Sequence, residues 1–326
     1  MVRILSDGEV ADCLSLDDLL PVVRDAFVKQ GRGEVERPER PHFPVGAGFG
    51  SSDPKGTGLV MPAYLHGLAH YATKLASVHE GNAERGLPTV NAQIALTEAD
   101  TGLPAAYMAG TRVTSARTGC IGGLAAAELA ADPEAVTLGI LGAGTQARWQ
   151  ARAIAAATGL ESVRVFSPSD SKYECADDLR AELGVPVEAV ESSEDAVSGA
   201  SVVVTATTAT SPVFPGTALD TGTLVVAVGA YAAEMRELDT ETFERASGIF
   251  ADVPEEVAEI GDALEAGLDA DDFAPLSDVF EGRAGREGED EIIVVESVGT
   301  AVLDAATAGY VFEEAEEKGI GTDVAL

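Results

Sequence analysis

Val136-Thr-Leu-Gly-Ile-Leu-Gly-Ala-Gly-Thr-Gln-Ala147 is an apolar run of strand character that ends on Gly142 and Gly144 and opens an Ala-rich segment reaching Ala157. Strand, tight turn and helix start, in that order, are the setting in which G-x-G-x-x-[GA] holds a dinucleotide. Gly142 permits the sharp turn, Gly144 lets the backbone approach a pyrophosphate, and Ala147 lets the helix pack close to the strand. The amides at the helix N-terminus then face the phosphate charge. Three small residues alone would be a weak signal, because Gly/Ala turns are common in α/β proteins. The strand before, the helix after and a further strand at 162–166 make this a nucleotide site.

Outward from that turn, strand and helix alternate: strands at 136–141, 162–166, 185–190, 201–206 and 224–228, with helices from Thr145, over 172–182 and near 194–198. Such alternation predicts a doubly wound parallel sheet. Residues 252–291 are acidic and weakly periodic, 291–296 form a last strand, and 298–318 are helical. On the other side, Ser15-Leu-Asp-Asp18 looks like a capping box opening a helix that stops at Gly31. A Gly/Pro/Arg-rich stretch over 32–55 reads as loop or edge strand. Short apolar segments follow at 58–63, 71–78, 89–97 and 105–108, the last two joined by the turn Asp100-Thr-Gly-Leu-Pro104. An Ala/Gly-rich helix over 115–131 leads back to the glycines. The fold expected is α/β, a Rossmann-type sheet plus a second, split α+β domain.

At 326 residues and 46% apolar the chain can fill two domains. Its net charge is −34, spread along the whole length, and its only lysines are Lys29, Lys55, Lys74, Lys172 and Lys318. Such a surface fits a halophile's cytoplasm, where concentrated salt screens self-repulsion, and it disfavours nucleic acid. Cys13, Cys120 and Cys175 have no metal or redox spacing and read as small buried residues; no metal is expected. With no basic-then-apolar leader and no apolar stretch of membrane-spanning length, neither membrane binding nor export is expected.

The second strand of a dinucleotide domain ends where the adenosine ribose lies, and an acid there favours NAD. Here the strand ends Phe166-Ser-Pro-Ser169. The acid is missing, Asp170 reads as a helix cap, and Ser167, Ser169 and Lys172 could together hold a 2′-phosphate. The loop leans to NADP over NAD. Positive charge is scarce elsewhere, yet Arg37, Arg40, Lys74, Arg112 and Arg117 all fall in or beside the first sheet. Lys74 sits in the apolar strand Tyr71-Ala-Thr-Lys-Leu-Ala-Ser77, where an ammonium is costly unless paired or placed in a cleft. A small carboxylate entering so negative a molecule needs such a cluster, with Arg as the bidentate anchor.

Val60-Met-Pro-Ala63, Thr73-Lys-Leu75, Gly86-Leu-Pro-Thr-Val90, Thr101-Gly102, Arg117-Thr-Gly119, Gly142-Ala-Gly-Thr-Gln-Ala147, Ala227-Val-Gly229, Arg236-Glu-Leu-Asp239 and Ser297-Val-Gly299 follow in that order. On these motifs the chain, from about residue 10 to 315, resembles the ornithine cyclodeaminase/mu-crystallin family, which includes archaeal alanine dehydrogenases and ketimine reductases. The resemblance implies a homodimer whose substrate-binding and dimerisation domain is residues 1–117 with 297–326, and whose Rossmann NAD(P)-binding domain is residues 118–296. It puts the substrate carboxylate on Arg40, Lys74 and Arg117. Cofactor contacts fall on Thr89, Thr145, Gln146, Ser167, Thr207, Val228 and Ser297, with Arg117 and Gly229 beside them.

Two departures bear on activity. The family's catalytic Asp aligns with Tyr231, and the acid that cyclodeaminases place before Met-Pro aligns with Leu59. Both losses oppose ornithine cyclisation, whereas ketimine reductases of the family also lack the Asp. The expectation is an NAD(P)H-dependent reductase of a C=N bond beside a carboxylate, on a cyclic imino acid such as pyrroline-2-carboxylate, with Lys74 and Tyr231 as catalytic residues. Alanine dehydrogenase ranks second and ornithine cyclodeaminase third. A mu-crystallin-like nucleotide-dependent binding protein without turnover is the alternative of another class.

Overall fold

Short apolar segments with alternating burial recur between residues 56 and 109, and in the computed structural model, which describes residues 1–50 and 52–325, they build one sheet with strands from either side of them. Its strands are β1 (Val2–Leu5), β2 (Val35–Glu36), β3 (His42–Val45), β4 (Gly56–Leu65), β5 (His70–Val78), β6 (Val90–Glu98) and β7 (Pro104–Ala109). A strand from the far end of the chain, β16 (Thr322–Val324), joins them. The order is β16-β1-β7-β6-β5-β4-β2, with β3 on β4, antiparallel except for the β1–β7 pair. In central β5, Ala72 and Lys74 point to the buried face and Tyr71 and Leu75 to the other. The helix Ala301–Lys318 packs on β4 and β5 and on the helix Leu16–Gly31. That C-terminal helix buries Val302, Leu303, Ala305, Ala306, Ala308 and Val311, so it completes the core of a sheet made almost 200 residues earlier.

The capping box lies elsewhere than Ser15. Ser15 precedes its helix without a side-chain bond, whereas Ser6 and Glu9 cap each other's backbone at the start of the helix Asp7–Cys13. The Ala/Gly-rich helix begins at Gly110, five residues before the expected start, because the Thr111 hydroxyl accepts the Ala92 amide at 3.0 Å and ties the first turn to β6.

The remaining strands form a second sheet: β8 (Val136–Leu141), β9 (Leu160–Phe166), β10 (Val187–Ala189), β11 (Val202–Thr205), β12 (Leu224–Ala227), β13 (Ala246–Ala251), β14 (Ala274–Pro275) and β15 (Ile292–Glu296). They run β10-β9-β8-β11-β12-β15-β13-β14, every described pair parallel. This is the doubly wound α/β order, with the switch point between β8 and β11. Val202–Val204 and Leu224–Val226 are buried on both faces, which is why these strands read as unbroken apolar runs. Each such side chain contributes about 1.5–3 kcal/mol.

The chain divides into two units, residues 1–117 with 301–326 and residues 118–300. The loop 297–300 goes with the second unit because Asp252 holds it: the Ser297 hydroxyl and the Val298 and Gly299 amides all donate to that carboxylate, at 2.6, 3.2 and 2.7 Å. All three cysteines are free and buried. Among the described residues no helix is long and apolar enough to cross a membrane, and no group of three or more His, Cys, Asp or Glu is arranged to hold a metal ion.

Candidate functional site

Lys74 points into the first unit's core, flanked in register by Met61 of β4 and Ile94 of β6. It is 3% exposed. An ammonium there needs a counter-charge, and Asp304, on the first turn of the C-terminal helix, supplies it. One oxygen of Asp304 takes the Lys74 ammonium and the other accepts Arg117 Nε at 3.1 Å. The Thr114 hydroxyl lies 3.5 Å from both Lys74 Nζ and Asp304 Oδ1. All three charged side chains are buried. The carboxylate is ionised: burial raises its pKa, but Arg117 and Lys74 outweigh that and hold it below the ordinary value. For Lys74 the balance goes the other way. Burial, helped by the positive charges of Arg117 and Arg40, lowers its pKa from 10.5 to about 8 despite Asp304. The result is an ammonium with a net positive surround that gives up its proton near neutral pH, the property a general acid needs.

Arg40 is half-buried, and its field reaches Lys74. Arg112, counted in the same cluster on sequence, turns away and pairs with Asp7 at 2.7 Å. Thr89 is half-buried just ahead of β6, with its carbonyl accepting the His79 amide at 2.9 Å.

In the second unit the glycine turn has the required shape. Gly142 adopts φ +119°, and a Cβ there would lie 2.5 Å from the Ala206 carbonyl oxygen. Gly144 faces open space and precedes the helix Thr145–Ala157 without any side-chain cap, so the N-terminal turn carrying Thr145 and Gln146 is left for an anion. A buried Gln146 oxygen has no partner among the described residues. These features fit a bound dinucleotide, whose pyrophosphate Gly142–Gln146 would hold.

Beyond β9, Ser167 and Ser169 come together, their hydroxyls 3.3 Å apart. Lys172 does not hydrogen-bond to them. Its ammonium, near the rings of Phe166 and Tyr173, donates to the Val190 carbonyl at 2.9 Å and to Glu191 at 3.0 Å. Nothing in the local sequence advertised the Glu191 carboxylate as its partner. Asp170 occupies the cap position without a side-chain cap bond.

Thr207, Val228, Gly229 and Ser297 fall just past β11, β12 and β15, at the carboxyl ends of three neighbouring strands. Tyr231 lies on the same loop as Gly229 and is 42% exposed, and Glu234 is exposed too. Sequence reasoning missed Asp304 altogether. It also passed over Glu237, Asp252, Asp262 and Glu296, acids that are 2% exposed or less at the carboxyl end of the second sheet. The available signal was the one that singled out Lys74, an ionisable residue inside an apolar run such as Ala301-Val-Leu-Asp-Ala-Ala306. With 55 acids in the chain, that signal carried little weight.

Comparison with known proteins agrees with the fold. The model of the ornithine cyclodeaminase/mu-crystallin family matches residues 2–319. A Δ1-pyrroline-2-carboxylate reductase of Bacillus cereus is 33% identical over 291 residues, 87% of this chain and 89% of that protein. The structure of the Thermococcus litoralis Δ1-pyrroline-2-carboxylate reductase in complex with NADH and L-proline superposes with a TM-score of 0.93 at 33% identity, covering 99% of this chain and all of that one. An archaeal alanine dehydrogenase dimer with bound NAD gives 0.90 at 29% identity, covering all of this chain and 99% of that one. This chain belongs to the ornithine cyclodeaminase/mu-crystallin family.

Proposed function

We propose that this protein is a nicotinamide-dependent reductase of a C=N bond beside a carboxylate, acting on a cyclic imino acid such as pyrroline-2-carboxylate. The observation that carries the proposal is the buried Lys74–Asp304–Arg117 triad, positive overall, in a chain of net charge −34. Reduction puts a hydride on the imine carbon and a proton on its nitrogen; the bound nicotinamide supplies the hydride. Arg117 and Arg40 bind the carboxylate, and Lys74 holds the proton for the nitrogen. Tyr231 is a phenol and therefore a proton donor rather than a base at neutral pH, which suits a preformed imine.

The named activities of the Bacillus and Thermococcus relatives support this substrate. The archaeal alanine dehydrogenase supports a second reading, in which the open-chain imine of pyruvate is the substrate. Leu59 and Tyr231, standing where cyclodeaminases carry acids, argue against ornithine cyclisation. A binding protein without turnover would leave the lowered proton affinity of Lys74 without use.

On the cofactor, Ser167 and Ser169 favour NADPH, whereas Glu191 opposes it by engaging Lys172. A homodimer is supported by Ile4, Tyr71, Leu75 and Tyr107, which are 38–44% exposed on the face of the first sheet opposite Lys74. The acidic composition supports the cytoplasm of a halophile as its setting.

The test is NADH and NADPH oxidation in molar salt with pyrroline-2-carboxylate, piperideine-2-carboxylate, or pyruvate plus ammonia, and ornithine assayed separately for proline. Turnover of a cyclic imine, abolished by Lys74→Met with cofactor affinity intact, is expected. A ligand-dependent melting shift with no turnover on any of them would refute an enzymatic role.

A further inference from the structure

In a doubly wound sheet the two halves flank the switch point, and each holds one mononucleotide. The glycine turn after β8 and the serine loop after β9 assign the adenosine half to β8-β9-β10. The nicotinamide half therefore lies over the loops that leave β11, β12 and β15. Two of those loops converge on one side chain. Glu237, fully buried, accepts the Thr207 amide on one carboxylate oxygen at 2.6 Å, and the Gly229 amide and Thr205 hydroxyl on the other at 2.8 and 2.9 Å. Its own backbone is held in turn, since Asp262 accepts the Glu237 and Leu238 amides at 2.8 and 2.7 Å. The fit leaves no slack. A Cβ on Gly229 would sit 2.5 Å from Glu237 Oε1 and 2.3 Å from the Thr207 carbonyl oxygen.

We propose that Glu237 is a positioning residue that clamps the loops after β11 and β12 together and so shapes the nicotinamide half of the cofactor site. Burying a carboxylate is expensive, and a neutral side chain of like volume would pack there at lower cost. What a carboxylate alone provides is acceptor capacity on both oxygens. Gln at this position would point an NH2 at either Thr207 N–H or Gly229 N–H, so one loop would be released. Burial pushes the Glu237 carboxyl up to about 7, and the donors from Thr207, Thr205 and Gly229 work against that rise. Glu237 touches no ligand in this scheme. It acts through the backbone of Thr207 and Gly229.

The inference rests on the reading that this unit binds a dinucleotide, and the experiment separates the two. Binding of NADH, followed by nicotinamide fluorescence, is compared with binding of ADP, which occupies the adenosine half alone. Wild type should bind both. Glu237→Gln should weaken NADH by about tenfold or more, the worth of a hydrogen bond to a charged group, and leave ADP within about twofold. Thr205→Val removes one donor and spares the amide bonds, so it carries the test if the Gln variant does not fold. It should weaken NADH about threefold, and it should add nothing to Glu237→Gln in the double variant. Equal loss of NADH and ADP would reduce Glu237 to a structural residue, and unchanged NADH affinity in Thr205→Val and any folded Gln variant would overturn the clamp. A wild type that binds neither ligand would remove the dinucleotide reading and this inference with it.

Discussion

Replacing Asp304 by Asn is the sharpest test of the triad. The carboxylate is 1% exposed and bridges two buried cations. Removing one partner of a buried ion pair costs about 3–5 kcal/mol, because the other charge is left uncompensated. The protein has a cheaper outlet than paying that in full: Lys74 can lose its proton. With a pKa of about 8 it holds that proton at pH 7 by only about one unit, or ~1.4 kcal/mol. Losing even 3 kcal/mol of stabilisation would lower the pKa by about two units, leaving roughly a tenth of the molecules protonated at pH 7. The proposed reaction uses the protonated form. In wild type, kcat/KM for imine reduction should fall as pH rises through about 8. In Asp304→Asn that alkaline limb should move to about pH 6, with about tenfold less activity at pH 7 and recovery on acidification. A pH–rate profile on folded protein decides it. If the variant loses activity by the same factor at every pH, with its alkaline limb still near 8, Asp304 does not govern the Lys74 proton and the argument fails.

Stability should run opposite to activity. The unfolded chain binds the Lys74 proton up to about pH 10.5 and the folded one only to about 8, so Lys74 makes the fold more stable as pH rises between those values. Denaturant titrations should find that slope in wild type and not in Lys74→Met. Arg40→Lys should raise KM for the carboxylate substrate at least about tenfold with a smaller change in kcat, since a point charge cannot replace a bidentate clamp; an unchanged KM would take Arg40 out of the site. Glu191→Gln should remove the charge paired with Lys172 and raise the NADPH-to-NADH ratio of kcat/KM severalfold, and a ratio that stays put would show that Lys172 lies beyond reach of the 2′-position. Tyr231→Phe should cost at most about a hundredfold, because water or Lys74 can still deliver the proton; complete inactivation would make the phenol indispensable.

What was legible in the sequence was whatever local pattern alone decides. The glycine turn and the apolar runs of β8, β9, β11 and β12 announce a doubly wound sheet because parallel strands are buried on both faces. Lys74 stood out because lysine is rare in this chain. Elements held by distant partners were silent. β1, four residues long, exists because β7 and β16 pair with it on either side, and β13, the Gly- and Ser-containing Ala246–Ala251, is held as a strand between β15 and β14. Asp304, 230 residues from Lys74, and Glu191, 19 from Lys172, changed the chemistry of both lysines from outside any local window. Glu237 was in view within Arg236-Glu-Leu-Asp239, but a sequence gives no sign that one side chain will gather the amides of two separate loops.

The first unit is assembled from the two ends of the chain, and this fixes the order in which it can be completed during synthesis. Residues 118–300 are contiguous and can fold as soon as they have emerged, whereas β5 and Arg117, made earlier, wait for the helix that carries Asp304. Until that helix arrives, Lys74 has no Asp304 to pair with and the sheet around it lacks its cover. The proton chemistry of the proposed site is therefore absent from every nascent chain that stops short of residue 301. Imine reduction should appear in a translation time course only after the helix Ala301–Lys318 has been made, while NADH binding by the second unit can precede it.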